Sequence, residues 1–165
     1  MDENGHELPR GEIGEIWIHG ASVIKGYWNN PKATAESFTG GFWHSGDIGS
    51  IDGDNFVRLF DRQKDMINRG GLKIFSAEVE SVLASHPSVV ESAIVAKPCP
   101  VLGERVHAVV VTRDDVGAET LRAWRAERLS DYKVPETMLL TAEPLPRNAN
   151  GKVLKRQLRE KLAAQ

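Results

Sequence analysis

Five residues of the chain have side chains or backbones that could bind or transform a small molecule. Asp47 carries a carboxylate, which is the natural bidentate acceptor for two neighbouring hydroxyl groups of a ribose. Arg62 offers a planar fork of donors that suits a ribose or phosphate oxygen. Lys152 carries an ammonium that can offset negative charge developing during a reaction. Gly70 and Gly71 lack a Cβ, so a thin ligand could run against their backbone.

Each of these residues also has an ordinary structural explanation. Asp47 could be a turn residue between strands, and a Gly-Gly pair is commonly only a turn. Arg62 could form an exposed ion pair with Asp61 or Asp65, worth ~0–1 kcal/mol. Lys152 taken alone would be an ordinary surface lysine. The residues therefore need a wider pattern before a function follows from them.

Composition limits the classes of function. The chain has 165 residues, 41% hydrophobic and 27% charged, with 21 Lys and Arg against 23 Asp and Glu. These proportions are typical of a soluble globular protein, and the net charge of −2 argues against nucleic acid as the main partner. The single cysteine, Cys99, cannot form an internal disulfide, which fits a reducing cytoplasm. No run approaches the ~18 apolar residues of a membrane helix, and the N-terminus is too polar for a signal peptide.

Several common cofactor motifs do not occur in the sequence. Pro146 stands where a P-loop needs a glycine ahead of Gly151 and Lys152, and neither GxGxxG nor GxSxG is present. The histidines never lie three or four residues apart, and Cys99 has no partner at ligand spacing. The stretch around Asp52 lacks the ligand spacing of an EF-hand. No metal site is therefore expected in the chain.

The first third of the chain is predicted to consist of short strands and one small helix. EIWIHG alternates, with Ile16 and Ile18 on one face, which predicts a strand. A helix is predicted from Pro31 to Phe38, because proline is tolerated in the first turn. Asp52 lies in a Gly- and Asp-rich break between two apolar runs, which predicts a β-hairpin. Few strands with little helical cover are marginal alone, so this part is not expected to be self-sufficient.

The remainder predicts a mixed α and β unit of roughly one hundred residues with its own core, so the predicted fold class is α+β. Gly70 and Gly71 predict a tight turn between two short strands, and Ser76 is predicted to cap a helix. The strand at RVHAVVVT is apolar on both faces and is predicted to be central. The other predicted elements are a strand at SAIVAK, a helix carried by Leu121, Trp124 and Leu129, a strand at TMLLTA, and a last helix with Leu154, Leu158 and Leu162.

Three motifs in this order resemble the adenylate-forming superfamily, and acyl-CoA synthetases are the closest in pattern. They are HSGDIG at 44–49, FDRQKDMINRGGLKIFSAEVE at 60–80 and PLPRNANGKVLKRQLRE at 144–160. GEIGEIWIHGASVIKGYWNNPKATAESF also resembles the family segment that precedes the Gly-Asp motif. The resemblance covers nearly the whole chain but only the last third of such an enzyme. The family's upstream motifs for the triphosphate and the adenine side are not found in these 165 residues.

This resemblance implies a domain organisation. Residues 1–61 are expected to be the β-rich tail of a large N-terminal adenylation domain. Residues 62–65 are expected to be a hinge, with Lys64 at the hinge position. Residues 66–165 are expected to be a mobile C-terminal α+β domain that rotates about that hinge.

The resemblance also implies a role for each candidate residue. Asp47 is expected to bind the ribose of ATP or AMP, and Arg62 to contact the same nucleotide. Gly70 and Gly71 are expected to line the channel for the pantetheine arm of CoA. Lys152 is the expected catalytic residue, which offsets charge as the acyl phosphate bond forms. Mg²⁺ is expected to accompany the ATP, with its ligands outside these 165 residues.

Three further positions follow from the same resemblance. Ser45 replaces the family's usual threonine and retains its hydroxyl. Glu78 matches a recurrent glutamate, although a glutamate in a first helical turn also complements the helix dipole. Phosphates of CoA could be met by one of three basic residues near the C-terminus, Arg147, Lys155 or Arg156.

The expected function is the C-terminal part of an AMP-forming acyl-CoA synthetase, with a carboxylic acid, ATP and CoA as substrates, and the isolated chain is expected to be inactive. The alternatives are a stand-alone binding module, the end of a peptide-synthetase adenylation domain, and a luciferase-like member. The absence of a carrier domain after Gln165 favours CoA as acceptor. Self-association is also expected, driven by aromatic residues of the β-rich part, namely Trp17, Trp28, Phe42 and Trp43.

Overall fold

The computed structural model describes residues 1–114 and 116–163 and divides the chain into two compact units. The first unit is Met1–Lys64 and the second is Asp65–Gln165. Among the described residues, no helix is both long and apolar enough to cross a membrane.

The first unit is an antiparallel sheet with one short helix. Strand β3 is central and pairs with each of the other three strands. The helix begins at proline, and the side chain of Asn30 caps it by accepting a hydrogen bond from the amide of Ala33 at 3.0 Å. The elements are β1 (Gly14–Ile18), α1 (Pro31–Ser37), β2 (Phe38–Thr39), β3 (Phe42–Ile51) and β4 (Val57–Arg62).

The predicted hairpin around Asp52 is confirmed as the β3–β4 connection. The Asp52 carboxylate accepts hydrogen bonds from the amides of Asp54 at 3.0 Å and Phe56 at 2.9 Å. Asn55 has a φ of +66°, a left-handed conformation that asparagine tolerates better than most residues. The turn is therefore built by its own side chains, and it sets the register in which β4 returns along β3.

The second unit is the predicted mixed α and β fold. Its sheet has the order β6-β5-β8-β7, with β9 parallel to β8, so the strand predicted to be central is central. The elements are β5 (Ile67–Arg69), β6 (Leu72–Ile74), α2 (Ser76–Ala84), β7 (Val89–Cys99), β8 (Gly103–Thr112), α3 (Ala118–Ala126), a 3-10 turn (Asp131–Lys133), β9 (Thr137–Thr141) and α4 (Lys155–Ala163).

The sheet of the second unit carries an apolar core on each face, which explains the continuous apolar run Ala108–Val111 in β8. Even-numbered residues of β8 pack with helices α2 and α3. Odd-numbered residues pack with helix α4 through Leu158 and Leu162. Because successive side chains of a strand point to opposite faces, a strand covered on both sides needs a continuous apolar run.

Three predicted helix details are wrong, one of them Leu154, which precedes α4 because that helix begins at Lys155. Ser76 does not cap α2, because Phe75 holds the N-cap position and Ser76 is the first helical residue, fully buried. Its hydroxyl instead accepts a hydrogen bond from the ammonium of Lys155 at 2.7 Å. Helix α3 ends at Ala126, so Leu129 lies beyond it.

The buried face of α3 contains an arginine that the apolar pattern did not predict. Leu121 and Arg125 are both fully buried, whereas Trp124 is only half-buried. The Arg125 Nε donates to the carbonyl of Leu121 at 2.9 Å, but neither Nη nitrogen has a partner among the described residues. Burial, with a smaller contribution from Arg122, lowers the pKa of Arg125 to about 10. The core therefore contains an incompletely compensated cation.

Candidate functional site

The first unit brings Asp47 and Arg62 together across the β3–β4 pair. They face each other in the strand register, and the Arg62 Nε lies 2.8 Å from the Asp47 carboxylate. Arg62 also donates from Nη1 to the carbonyl of Ser45 at 3.1 Å. Both side chains are partly exposed, so a ligand can reach the pair. Arg62 thus forms an ion pair with Asp47, a partner that the sequence did not suggest for it.

The side chain of Ser45 fixes the backbone next to Asp47. The Ser45 hydroxyl donates to the carbonyl of Ile16 at 2.6 Å and accepts from the Asp47 amide at 3.0 Å. Both bonds need only the hydroxyl group, which a threonine at this position would also supply. Gly46 has a φ of +69°, a left-handed conformation that favours glycine.

Glu15 is a supporting residue that the sequence interpretation missed. Its carboxylate accepts hydrogen bonds from the Gly46 amide at 3.0 Å and from the Trp17 indole at 2.7 Å. The Trp17 ring stacks on His44, with ring centroids 4.0 Å apart. The available signal was an acidic residue directly beside aromatic and apolar residues in a predicted strand.

In the second unit, Gly70 and Gly71 form the predicted tight turn between β5 and β6. Their φ values are +59° and +88°, which favour glycine at both positions. The Gly70 amide donates to the carbonyl of Leu102 at 2.8 Å, so the turn sits beside the β7–β8 connection. Arg69, the residue before the turn, donates from Nε and Nη2 to one oxygen of Glu136 at 3.0 and 2.8 Å. The turn is therefore anchored on both sides.

Lys152 lies in a compact loop organised by Asn148. The Asn148 side-chain oxygen accepts hydrogen bonds from the amides of Asn150 at 3.0 Å and Lys152 at 2.9 Å. The loop is closed by a bridge between Arg147 and Val153. The Lys152 residue itself is exposed and forms no ion pair within residues 1–114 and 116–163. An available ammonium is thus presented on a defined backbone; asparagine's preference for turns was the signal for Asn148.

The loop is attached to the sheet at its first end by an ion pair. Arg147 donates from Nη2 to the Glu91 carboxylate and from Nη1 to the Gly151 carbonyl at 2.6 Å. Glu91 also accepts from the Leu145 amide at 2.9 Å. Arg147, one of three expected contacts for CoA phosphates, is therefore already engaged by a carboxylate.

The residues that follow the loop are attached to helix α2. The Lys155 ammonium lies 2.7 Å from the Glu80 carboxylate and donates to the Ser76 hydroxyl. Lys155 is mostly buried, and its ammonium is engaged by the Glu80 carboxylate and the Ser76 hydroxyl. Glu78 likewise has a structural partner, since both its oxygens accept from Lys133, at 2.7 and 2.8 Å.

The glycine turn and the Lys152 loop are attached to opposite ends of the β7–β8 ladder. The turn contacts the end near Cys99 and Gly103, which pair with each other. The loop is held by Glu91, eight residues before Cys99 on β7. At about 3.3 Å per residue, these anchor points are about 26 Å apart along the strand. One small unit therefore presents two distinct candidate surfaces.

A metal-binding cluster does not occur in the part of the chain that the structure describes. No group of three or more His, Cys, Asp or Glu side chains there could hold a metal ion.

Lys64, the expected hinge residue, is the last residue of the first unit.

Comparison with known proteins places these features in a family. Residues 78–152 match the AMP-binding enzyme C-terminal domain. A feruloyl-CoA synthase from an Amycolatopsis species is 43% identical, over 96% of this chain and 32% of its own length.

Two solved structures show the same fold. The o-succinylbenzoate CoA synthetase of Bacillus subtilis, in complex with an acyl-adenylate intermediate, superposes with a TM-score of 0.89 at 38% identity, covering 96% of this chain and 32% of the other. The amide bond synthetase McbA of Marinactinospora thermotolerans gives a TM-score of 0.86 at 37% identity, covering 97% and 33%. The chain spans about a third of the length of the curated relatives it matches. The resemblance is thus confirmed: the chain belongs to the adenylate-forming superfamily, as a C-terminal portion related to that of the acyl-CoA synthetases.

Proposed function

We propose that the chain supplies the C-terminal part of an enzyme that joins a carboxylic acid to CoA through an acyl adenylate. The observation that carries the proposal is the placement of the Lys152 loop and the Gly70–Gly71 turn at opposite ends of one ladder. A unit built in this way can offer one surface to adenylate formation and another to thioester formation. In keeping with the family, residues 1–61 are the tail of the adenylation domain, 62–65 the hinge and 66–165 the mobile domain.

The nucleotide contacts belong to the first unit. Asp47 accepts hydrogen bonds from the ribose hydroxyls of ATP, because its carboxylate is partly exposed and paired with Arg62, while the Ser45 hydroxyl holds the Asp47 backbone amide. Arg62 orients that carboxylate through their ion pair, and its guanidinium contacts the nucleotide directly. The match to a relative in complex with an acyl-adenylate intermediate supports an adenylate as the bound nucleotide.

Lys152 acts in the first half-reaction. A carboxylate oxygen of the acid attacks the α-phosphorus of ATP, the new acyl phosphate bond forms, and pyrophosphate leaves. Negative charge accumulates around the α-phosphate in this step, and the exposed ammonium of Lys152, which has no ion pair among the described residues, can offset it.

The glycine turn acts in the second half-reaction. After rotation about Lys64, the Gly70–Gly71 surface replaces the Lys152 loop, and the CoA sulfur attacks the acyl carbon while AMP leaves. The space beside Gly71 is open, since a Cβ placed there would have no neighbour within 4 Å. The pantetheine arm can therefore run close to this backbone.

Mg²⁺ accompanies the ATP in this proposal, but the described residues do not fit a site for it. The carboxylates of the chain form no cluster with metal-ligand geometry within residues 1–114 and 116–163. We therefore assign its ligands, together with the triphosphate and acid pockets, to sequence outside these 165 residues. For the same reason the isolated chain is proposed to be inactive. The cytoplasm is proposed as the compartment of the whole enzyme.

A second candidate differs only in the acceptor. The match to an amide bond synthetase favours an amine as the attacking group in this second candidate.

The acid substrate is proposed only as a carboxylic acid. The names of the CoA-dependent relatives include both feruloyl-CoA synthase and long-chain-fatty-acid–CoA ligase, so fatty acids are one candidate among several classes of acid.

The decisive experiment separates the two half-reactions in the complete enzyme that carries this chain. Lys152→Ala is expected to slow acyl adenylate formation about 100-fold or more. Release of CoA thioester from supplied acyl adenylate is expected to stay within about twofold, because Lys152 is withdrawn in that step. The matched control is Lys161→Ala, which removes another exposed lysine of the same unit. Equal loss of both steps in Lys152→Ala contradicts the proposal.

Self-association of the first unit is a further part of the proposal. Trp28 is 98% exposed and Phe42 is 37% exposed. Trp17 and Trp43 are half-buried, because Trp17 stacks on His44 and Trp43 donates from its indole to the Tyr27 hydroxyl at 3.2 Å. Trp28 and Phe42 are therefore the side chains proposed to contact a second copy of the chain.

A further inference from the structure

The Lys152 loop depends on one carboxylate that lies far from it in sequence. Glu91 is on β7, and its Oε2 accepts a hydrogen bond from Arg147, 56 residues later. Its Oε1 accepts from the Leu145 amide at 2.9 Å. One partly buried carboxylate thus contacts the start of the loop twice.

Arg147 connects that carboxylate to the residue before Lys152. One guanidinium nitrogen bonds to Glu91, and the other donates to the Gly151 carbonyl at 2.6 Å. The rigid fork of the guanidinium fixes the distance between its two partners. Arg147 therefore holds the Gly151–Lys152 peptide at a fixed position relative to strand β7.

Within the described residues, positions 148–152 form hydrogen bonds to the rest of the unit only through Arg147. Asn148 organises the turn internally, but its bonds to Asn150 and Lys152 stay within the loop. Apolar packing holds both ends of the segment, since Leu145 is buried in the core beside α4 and Val153 packs against that core; Lys155 then pairs with Glu80. Without Glu91, residues 146–152 would lose their polar link to the sheet and keep only the packing of Leu145 and Val153 on either side.

We propose that Glu91 is a positioning residue for Lys152, acting through the guanidinium of Arg147. The inference rests on the proposed role of Lys152 in adenylate formation and adds a residue outside the motif to it. Glu91 touches neither substrate nor nucleotide in this scheme. Its effect is confined to the half-reaction in which the Lys152 loop is at the reacting centre.

Glu91→Gln is a suitable perturbation because it changes one of the two contacts. The amide oxygen can still accept from Leu145, whereas the charge-assisted bond to Arg147 is lost. Arg147 is 45% exposed, so loss of this ion pair has little effect on global stability. The matched control is Glu127→Gln, which removes the carboxylate from an exposed Arg–Glu pair of the same unit.

The first measurement is hydrogen exchange of the 165-residue chain, read by mass spectrometry on peptides covering 145–153. Glu91→Gln is expected to raise the exchange rate of these amides at least severalfold, with no change in peptides from β8. Glu127→Gln is expected to leave both regions as in the unchanged protein. Equal protection of the 145–153 peptides in Glu91→Gln and the unchanged chain overturns the inference, whatever the enzyme does.

The second measurement is the pair of half-reactions in the complete enzyme. A displacement of about 1 Å can cost about 100-fold in rate, so we expect adenylate formation to fall about tenfold or more in Glu91→Gln. Thioester formation from supplied acyl adenylate is expected to be unchanged. In an Arg147→Gln background the Glu91 substitution should add no further loss, because both changes break the same link.

The outcomes separate this inference from the proposed function. Loss of both half-reactions in Glu91→Gln, or a full additional loss in the Arg147→Gln background, shows a general structural role and overturns the inference. If Lys152→Ala fails to separate the half-reactions, the proposed function fails, and the positioning of Lys152 by Glu91 fails with it as an effect on catalysis. The exchange measurement then still decides whether Glu91 holds the loop.

Discussion

His107 should make the second unit lose stability as the pH falls. It lies on the central strand β8, 5% exposed, opposite Val95 in the ladder. Its Nδ1 is 2.7 Å from the Thr137 hydroxyl, and its Nε2 has no partner among the residues that the structure describes. Burial, and secondarily the charge of Lys97, lowers the pKa of His107 from 6.5 to about 4. A proton is therefore bound more weakly in the folded state than in the unfolded state.

The size of the effect follows from that difference in pKa. Above pH 6.5 the imidazole is neutral in both states and the stabilisation is fully present. As the pH falls from 6.5 towards 4 the unfolded state binds the proton first, so the free energy of unfolding decreases. The linkage relation gives a loss of about 1.4 kcal/mol at pH 5.5 and about 2.5 kcal/mol at pH 4.5.

Urea unfolding followed by far-UV circular dichroism tests this, at pH 7.5, 5.5 and 4.5. The comparison is with His107→Asn, which keeps an amide near the Nδ1 position and does not titrate. Carboxylates titrate in both proteins, so their effect cancels in the difference between the two free energies. That difference should shift by about 2.5 kcal/mol between pH 7.5 and 4.5 against the unchanged protein. Thr137→Val should keep the pH dependence, because burial is its main cause. A difference that is constant with pH refutes the reasoning.

Two other predictions concern groups outside the candidate site. Arg125→Leu should stabilise the second unit by about 1–3 kcal/mol, because it removes a fully buried cation whose two Nη nitrogens lack partners among the described residues. Thermal unfolding should then show a Tm increase of about 4–8 °C per kcal/mol, whereas a lower Tm contradicts this account of Arg125. The chain should show a rising mass with concentration in light scattering, and Trp28→Ser should lower it. A strictly monomeric unchanged chain at high concentration argues against self-association.

Local sequence was sufficient for the elements whose cause is local. The Asp52 hairpin follows from side chains that bond to their own turn, and the Gly70–Gly71 turn follows from glycine's access to positive φ. The central position of β8 could be predicted because burial on both faces leaves an apolar run in the chain. The order of the motifs was enough to predict the family.

Local patterns failed where a partner distant in sequence determines the role of a residue. Serine is a common helix cap, but the hydroxyl of Ser76 is buried and accepts a hydrogen bond from the ammonium of Lys155, 79 residues later. Arg125 lies four residues after Leu121, on the core face of α3, but a charged side chain is not expected in a core.

The sequence by itself determined which side chains are available: a carboxylate at Asp47, a guanidinium at Arg62, an ammonium at Lys152 and a pair of glycines. Only the tertiary structure decided their arrangement, because strand register and packing set distances between residues that are remote in the chain. It paired Asp47 with Arg62 across β3 and β4, and it attached the Lys152 loop to Glu91 at the end of the β7–β8 ladder opposite the glycine turn. An ion pair between residues 56 positions apart leaves no periodic signal, so only the folded chain reveals it.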